Sequence, residues 1–229
     1  NGEYGFNHFS VIGIVGSYEM CAEWDRFNGI EHNEPFQYTD EHRQLIVDTI
    51  QVILDKIPEI QERTGHLYNL EYTPCESATY TMGRKVQKAG GITSGTKDTP
   101  YLTNSTLPHS SFLGDLDSYL NDQNIFQPLA TGGTVSHCFL GNRITAEKAK
   151  YMVKYLCENY KIPYFSLTPS FSICPTHGYI SGQHFECPEC GEKTLVYSRV
   201  VGFYKPVQQW NEGKVAEYND RTFVDEEKI

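Results

Sequence analysis

The sequence predicts an α/β body over residues 1–170, followed by a small metal-binding and loop segment over residues 171–229. Short apolar runs that read as strands alternate with stretches of helical spacing, the pattern of parallel βαβ units. The last 60 or so residues break that alternation and hold a Cys/His cluster.

The elements follow in order. FSVIGIVG, residues 9–16, reads as a short buried strand, and a loop rich in Asn, Gly and Pro comes after it. Residues 40–63 form a helix, because Leu45, Ile46, Ile50, Ile53, Leu54, Ile57 and Ile60 recur at spacings of three and four. Thr39 or Asp40 caps it and Gly65 ends it. A strand runs from about His66 to Tyr72, and residues 77–89 form a second helix. Residues 90–125 read as mostly irregular. GGTVSHCFLG (132–141) is a strand, Thr145 caps a helix carrying Ala149, Met152, Val153 and Leu156, and IPYFSLTPS is the next strand.

Bulk composition narrows the function. With 39% hydrophobic residues, the 229-residue chain can pack a core. A balance of 19 basic to 29 acidic residues, net −10, argues against a nucleic-acid surface. No run is long and apolar enough to span a membrane, and no signal peptide is expected. Seven cysteines, odd in number and partly scattered, suit a reduced, cytoplasmic protein with a metal site rather than a disulfide framework. The chain begins at Asn1 without methionine and reads as a fragment.

The most specific local signal is Cys174-Pro-Thr-His177-Gly followed by Cys187-Pro-Glu-Cys190-Gly. Two x2 knuckles, each trailed by glycine, bring four ligands to one tetrahedral ion. Thiolate and imidazole favour zinc, and four protein ligands leave no open position, so the site is structural. His184 is an alternative to His177. Twelve residues on, SRVVGFYKPV places Gly202 in a strand-like run. Such a glycine marks a bulge or a close backbone approach, and its bulky neighbours predict a buried loop tip.

RVVGFYKPV with the following Trp210-Asn211-Glu212-Gly213-Lys214 resembles the C-terminal glycyl-radical segment of the anaerobic (class III) ribonucleoside-triphosphate reductases. YTPCES (72–77), YLTNSTLP (101–108), PLATGGTVSHCFLG (128–141) and the four-ligand cluster resemble that family in the same order. The resemblance implies the second half of a ten-stranded α/β barrel, with Gly202 as the radical residue. Only glycine lets both faces of Cα be approached and leaves a planar, delocalised radical free of side-chain hindrance.

It further implies a partner activase, in which S-adenosylmethionine and an iron–sulfur cluster make the glycyl radical. The radical passes to a cysteine that would lie before Asn1. The resulting thiyl takes the ribose 3′ hydrogen of a ribonucleoside triphosphate, and the 2′ hydroxyl leaves as water. ATP and dNTP effectors, a homodimer and oxygen sensitivity follow from the same likeness. Thr73, Glu76 and Ser77 would line the substrate site, Glu76 as acid or base for the 2′ hydroxyl, or Thr73 and Ser77 would simply cap a helix. Asn104 and Ser105 would face phosphate or ribose, or satisfy their own backbone. Gly132 and Gly133 would let a strand end approach the radical loop.

Glu71 stands where the formate-using relatives have a tyrosine, which counts against formate; the reductant is formate or a redoxin. Cys75 is then either a redox thiol or a small buried filler. The alternatives are a zinc-ribbon interaction module or another glycyl-radical enzyme.

Overall fold

The structure is a computed structural model that describes residues 8–31, 35–72 and 74–224. Two parallel strand pairs carry the body. β1 (Phe9–Gly13) pairs with β2 (Leu67–Glu71), and β5 (Ser136–Leu140) pairs with β6 (Phe165–Pro169). Helices α1 (Ser17–Asn28) and α2 (Asp40–Thr64) connect the first pair, and α5 (Ala146–Asn159) connects the second. Both pairs are therefore βαβ units.

Local chemistry sets the helix ends. The Thr39 side chain accepts from His42 N, and the His42 ring reaches back to Thr39 N, a capping box built with histidine. α2 ends at Gly65, and its Ile46, Ile50 and Ile57 pack with Leu70 and Tyr72 in the first core. Thr145 caps α5 by accepting from Lys148 N. α3 (Ala78–Lys88) follows the TPCES stretch.

Several expectations are corrected. Residues 17–39 contain α1 rather than a continuous loop, and residues 90–125 contain a short antiparallel pair, β3 (Ser94–Gly95) and β4 (Pro100–Tyr101). They also hold most of α4 (Leu116–Phe126), capped by Asp115 and burying Tyr119, Leu120 and Phe126. β1 is not buried throughout. Strand alternation turns Ile12 and Ile14 to the core and leaves Phe9 and Val11 about half exposed, at 54% and 51%. The expected half-barrel is not one continuous sheet among the described residues. Segment 131–133 docks irregularly on β2, with Gly132 N donating to Leu70 O (2.8 Å) and Tyr72 N to Gly133 O (3.0 Å). The observed fold is mixed α/β with two separate parallel pairs.

The C-terminal part is an antiparallel sheet in the order β10-β9-β7-β8, made of β7 (Phe171–Cys174), β8 (Gly178–Ser181), β9 (Leu195–Arg199) and β10 (Tyr204–Pro206). α6 (Glu212–Asp220) closes it, and Val196, Val200, Val207, Trp210 and Tyr218 form its small core. No helix among the described residues is long and apolar enough to cross a membrane.

Candidate functional site

The Cys/His cluster sits at one end of the antiparallel sheet. Cys174 ends β7, and the hairpin into β8 turns at Gly178 (φ 74°). The second knuckle closes with Gly191 N donating to Cys187 O (2.8 Å), at φ 73°. Both trailing glycines occupy the left-handed region that other residues disfavour. The four ligand atoms of Cys174, His177, Cys187 and Cys190 lie within 4.8 Å of one another. Zn–S bonds of about 2.3 Å in a tetrahedron set two sulfurs about 3.8 Å apart. Cys174 Sγ and Cys190 Sγ are 3.7 Å apart, and His177 Nδ1 lies 3.8 Å from Cys174 Sγ and 3.4 Å from Cys187 Sγ. The donor set can hold a metal ion such as zinc. His177 turns Nε2 to Glu189 Oε2 at 3.6 Å, a carboxylate placed to orient the ring. His184 is elsewhere, its Nε2 on Ser181 O.

β9 runs from this cluster to the glycine loop. Arg199 pairs with Tyr204, so residues 200–203 form the tip, and Val200 N donates to Phe203 O (3.2 Å). Gly202 is exposed, which corrects the expected buried tip. Val200 takes the inward position at 2% exposure, and the reversal turns Gly202 and Phe203 outward. A Cβ on Gly202 would meet nothing within 4 Å among the described residues, and its φ is not in the left-handed region. Neither crowding nor backbone conformation demands glycine here.

The stretches singled out by sequence meet beside this loop. Pro74, Asn104, Ser105, His137, Val200 and Val201 share the lining of one cavity of about 30 Å³. Asn104 Oδ1 accepts from Cys75 N (2.8 Å), so this side chain ties the TNSTLP stretch to TPCES. Ser105 is buried at φ 52°, alone among described non-glycine residues in having positive φ. Glu76 Oε1 lies 3.3 Å from Lys205 Nζ on β10, and Glu76 O accepts from Asn211 Nδ2 (3.2 Å). Ser77 sits at the N-cap of α3 without a side-chain cap bond. Thr73 lies outside the described residues. Gly132 meets β2 rather than the glycine loop: a Cβ there would collide with Glu71 Cγ, so its bareness permits close docking on β2.

Sequence reasoning missed the charges beneath the loop. Lys214 and Arg221 both pair with Glu217, the latter at 2.8 Å, and all three are buried. Burial alone would raise the Glu217 carboxyl; the Lys214 and Arg221 charges overcome it and hold it at about 2. Arg221 also lies over the Phe139 ring, 4.0 Å from its centroid. Their places on and just beyond α6 read as a solvated face until tertiary packing covers them.

His137 Nδ1 is 2.7 Å from Ser166 Oγ, while its Nε2 is buried without a hydrogen-bond partner among the described residues. Burial first, then the Arg199 and Arg221 charges, push this ring down to about 4. Between about pH 6.5 and 4 the unfolded chain therefore binds a proton that the folded chain does not. Stability is full above pH 6.5 and falls as pH drops toward 4, by about 3 kcal/mol from this residue. Urea unfolding of wild type and His137→Gln across this range checks it: the variant should lack this part of the acid loss.

A family model described as anaerobic ribonucleoside-triphosphate reductase matches residues 2–223. The anaerobic ribonucleoside-triphosphate reductase of Haemophilus influenzae is 24% identical over 225 residues, covering 92% of this chain and 30% of that protein. Among solved structures, an anaerobic ribonucleotide reductase superposes with a TM-score of 0.72 at 24% identity, over 95% of this chain and 34% of its own. The Thermotoga maritima anaerobic ribonucleotide reductase in complex with dATP and CTP gives a TM-score of 0.66 at 21% identity, over 92% and 33%. The chain thus spans about a third of the length of these relatives. With the family match running through both the α/β body and the glycine loop, this chain belongs to the anaerobic ribonucleoside-triphosphate reductase family.

Proposed function

We propose that this chain carries the radical-storing part of an anaerobic ribonucleoside-triphosphate reductase, with residues 1–170 belonging to its catalytic barrel and 171–229 to a metal-braced radical segment. The observation that carries the reading is the meeting of three separate stretches, around Pro74, Asn104 and Val200, on one cavity beneath the loop that carries Gly202.

In this reading Gly202 stores the radical, made by an activase that uses S-adenosylmethionine and an iron–sulfur cluster. Zinc on Cys174, His177, Cys187 and Cys190 is structural and holds the base of β9. The two parallel pairs are parts of a ten-stranded barrel. Thr73, Ser77, Asn104 and Ser105 bind the ribonucleoside triphosphate, with the open N-terminus of α3 favouring phosphate. Glu76 handles the proton as the 2′ hydroxyl leaves as water, and the reductant supplies two electrons. The T. maritima relative binds dATP and CTP, which supports nucleotide substrates and effectors for this enzyme too. A homodimer, a cytoplasmic setting and a role in supplying deoxyribonucleotides for DNA replication complete the proposal. Burial raises the Cys75 thiol, which favours the filler reading of that residue and leaves formate or a redoxin as reductant.

The test uses the whole reading frame that contains these residues, activated anaerobically and supplied with CTP, each reductant in turn. Deoxynucleotide should form in the wild type. Glu76→Gln should keep its glycyl radical and lose about a hundredfold or more in turnover. Unchanged turnover in Glu76→Gln would remove the residue from the chemistry, and absence of deoxynucleotide from radical-bearing wild type with either reductant would overturn the function.

A further inference from the structure

We propose that Arg199 is the positioning residue of the radical loop, holding the Gly202 peptide by its carbonyl and stabilising the radical through its charge. The inference rests on Gly202 being the radical residue. Arg199 Nη1 donates to Gly202 O at 2.6 Å. Its Nε donates to the buried Thr168 Oγ1 at 3.1 Å. Thr168 Oγ1 is 2.9 Å from Ser166 Oγ, which is 2.7 Å from His137 Nδ1. The guanidinium also lies 5.0 Å from the Tyr204 ring centroid. A continuous polar chain thus runs from the β5–β6 pair to the exposed tip.

The position matters because the tip has little else to hold it. Gly202 and Phe203 are exposed, and among the described residues nothing lies within 4 Å of where a Cβ on Gly202 would be. A radical on a glycine Cα is shared with its own carbonyl and amide nitrogen, so it needs those atoms coplanar. A cationic donor on the carbonyl oxygen fixes that plane and draws electron density toward the oxygen, which favours the delocalised radical. The fork shape of arginine lets one group bind Thr168 and Gly202 at once; lysine supplies the charge but not both bonds.

The test compares wild type, Arg199→Gln and Arg199→Lys in the whole reading frame. The first readout needs no radical: hydrogen exchange of the Val200 amide, which donates to Phe203 O across the tip, should be about tenfold faster in Arg199→Gln, as loss of a charge-assisted bond implies. Metal content and exchange around the Cys/His cluster should be unchanged. After activation, electron paramagnetic resonance should show a doublet from the remaining α hydrogen. In Arg199→Gln its splitting should shift and its decay should quicken several-fold, with Arg199→Lys between. Wild-type exchange in Arg199→Gln overturns the positioning role. Faster exchange with unchanged splitting and lifetime overturns the electronic role and leaves a mechanical one. A wild type that forms no glycyl signal with a working activase sinks the reading of Gly202 instead, and the exchange result still decides whether Arg199 holds the loop.

Discussion

Gly202→Ala is expected to fold, bind metal and melt as the wild type does, yet to form no radical and no deoxynucleotide. Among the described residues the added Cβ meets nothing within 4 Å, and φ at Gly202 lies outside the left-handed region that alanine disfavours. The stability change should therefore stay within about 0.5 kcal/mol. The chemical effect is total, because the side chain opposes planarity at Cα and blocks one face from the abstracting group. Parallel measurement of Tm, metal stoichiometry and electron paramagnetic resonance separates the two. A glycyl-type signal in the alanine variant would show that the radical resides elsewhere.

Metal removal should have the second-largest effect. Residues 174–193 have little apolar burial of their own: Phe185 is 50% exposed and Tyr179 is 51% exposed. What draws their two knuckles together is the four-ligand cluster, and binding free energy at such a site, about 10–16 kcal/mol for zinc in small domains, is folding free energy. We expect one metal equivalent per chain, lost in Cys187→Ser or on treatment with a strong chelator. Hydrogen exchange should then show residues 171–200 unfolding while α2 and β2 stay protected. Since β9 carries both the cluster end and Arg199, the loop loses its anchor and activation fails. Full protection of residues 171–200 in metal-free protein would show the sheet to be self-sufficient.

One-faced periodicity and Thr, Ser or Gly at the ends made α2, α3 and α5 legible, whereas β2 and the β5–β6 pair were legible as short apolar runs, β5 being buried at all five positions. The pair of x2 knuckles was legible for a related reason: ligand spacing and left-handed glycines are local. α1 and α4 were harder. In α4 the run Asp117-Ser118-Tyr119-Leu120-Asn121-Asp122 is polar enough to read as loop, and Asp122 is buried only because Arg43 of α2 meets it at 2.6 Å. Such pairing is set by tertiary structure. Lys214, Glu217 and Arg221 do stand at the local i,i+3 and i,i+4 helical spacings, but their burial is set by tertiary packing and has no local signature. The exposure of Gly202 was not legible either, since hairpin alternation at Val200 decides which residues turn outward. Arg199 stood in plain view in SRVVGF, but its partner Thr168 lies 31 residues away.

The most direct measurement is the mass of the activated protein after exposure to air. A glycyl radical reacts with oxygen and the backbone breaks at that residue. The whole reading frame, activated anaerobically and then aerated, should lose a C-terminal piece beginning near Gly202, and Gly202→Ala should stay whole. An uncut wild-type chain, folded, metal-loaded and treated with a working activase, would contradict the assignment of Gly202 and the function built on it.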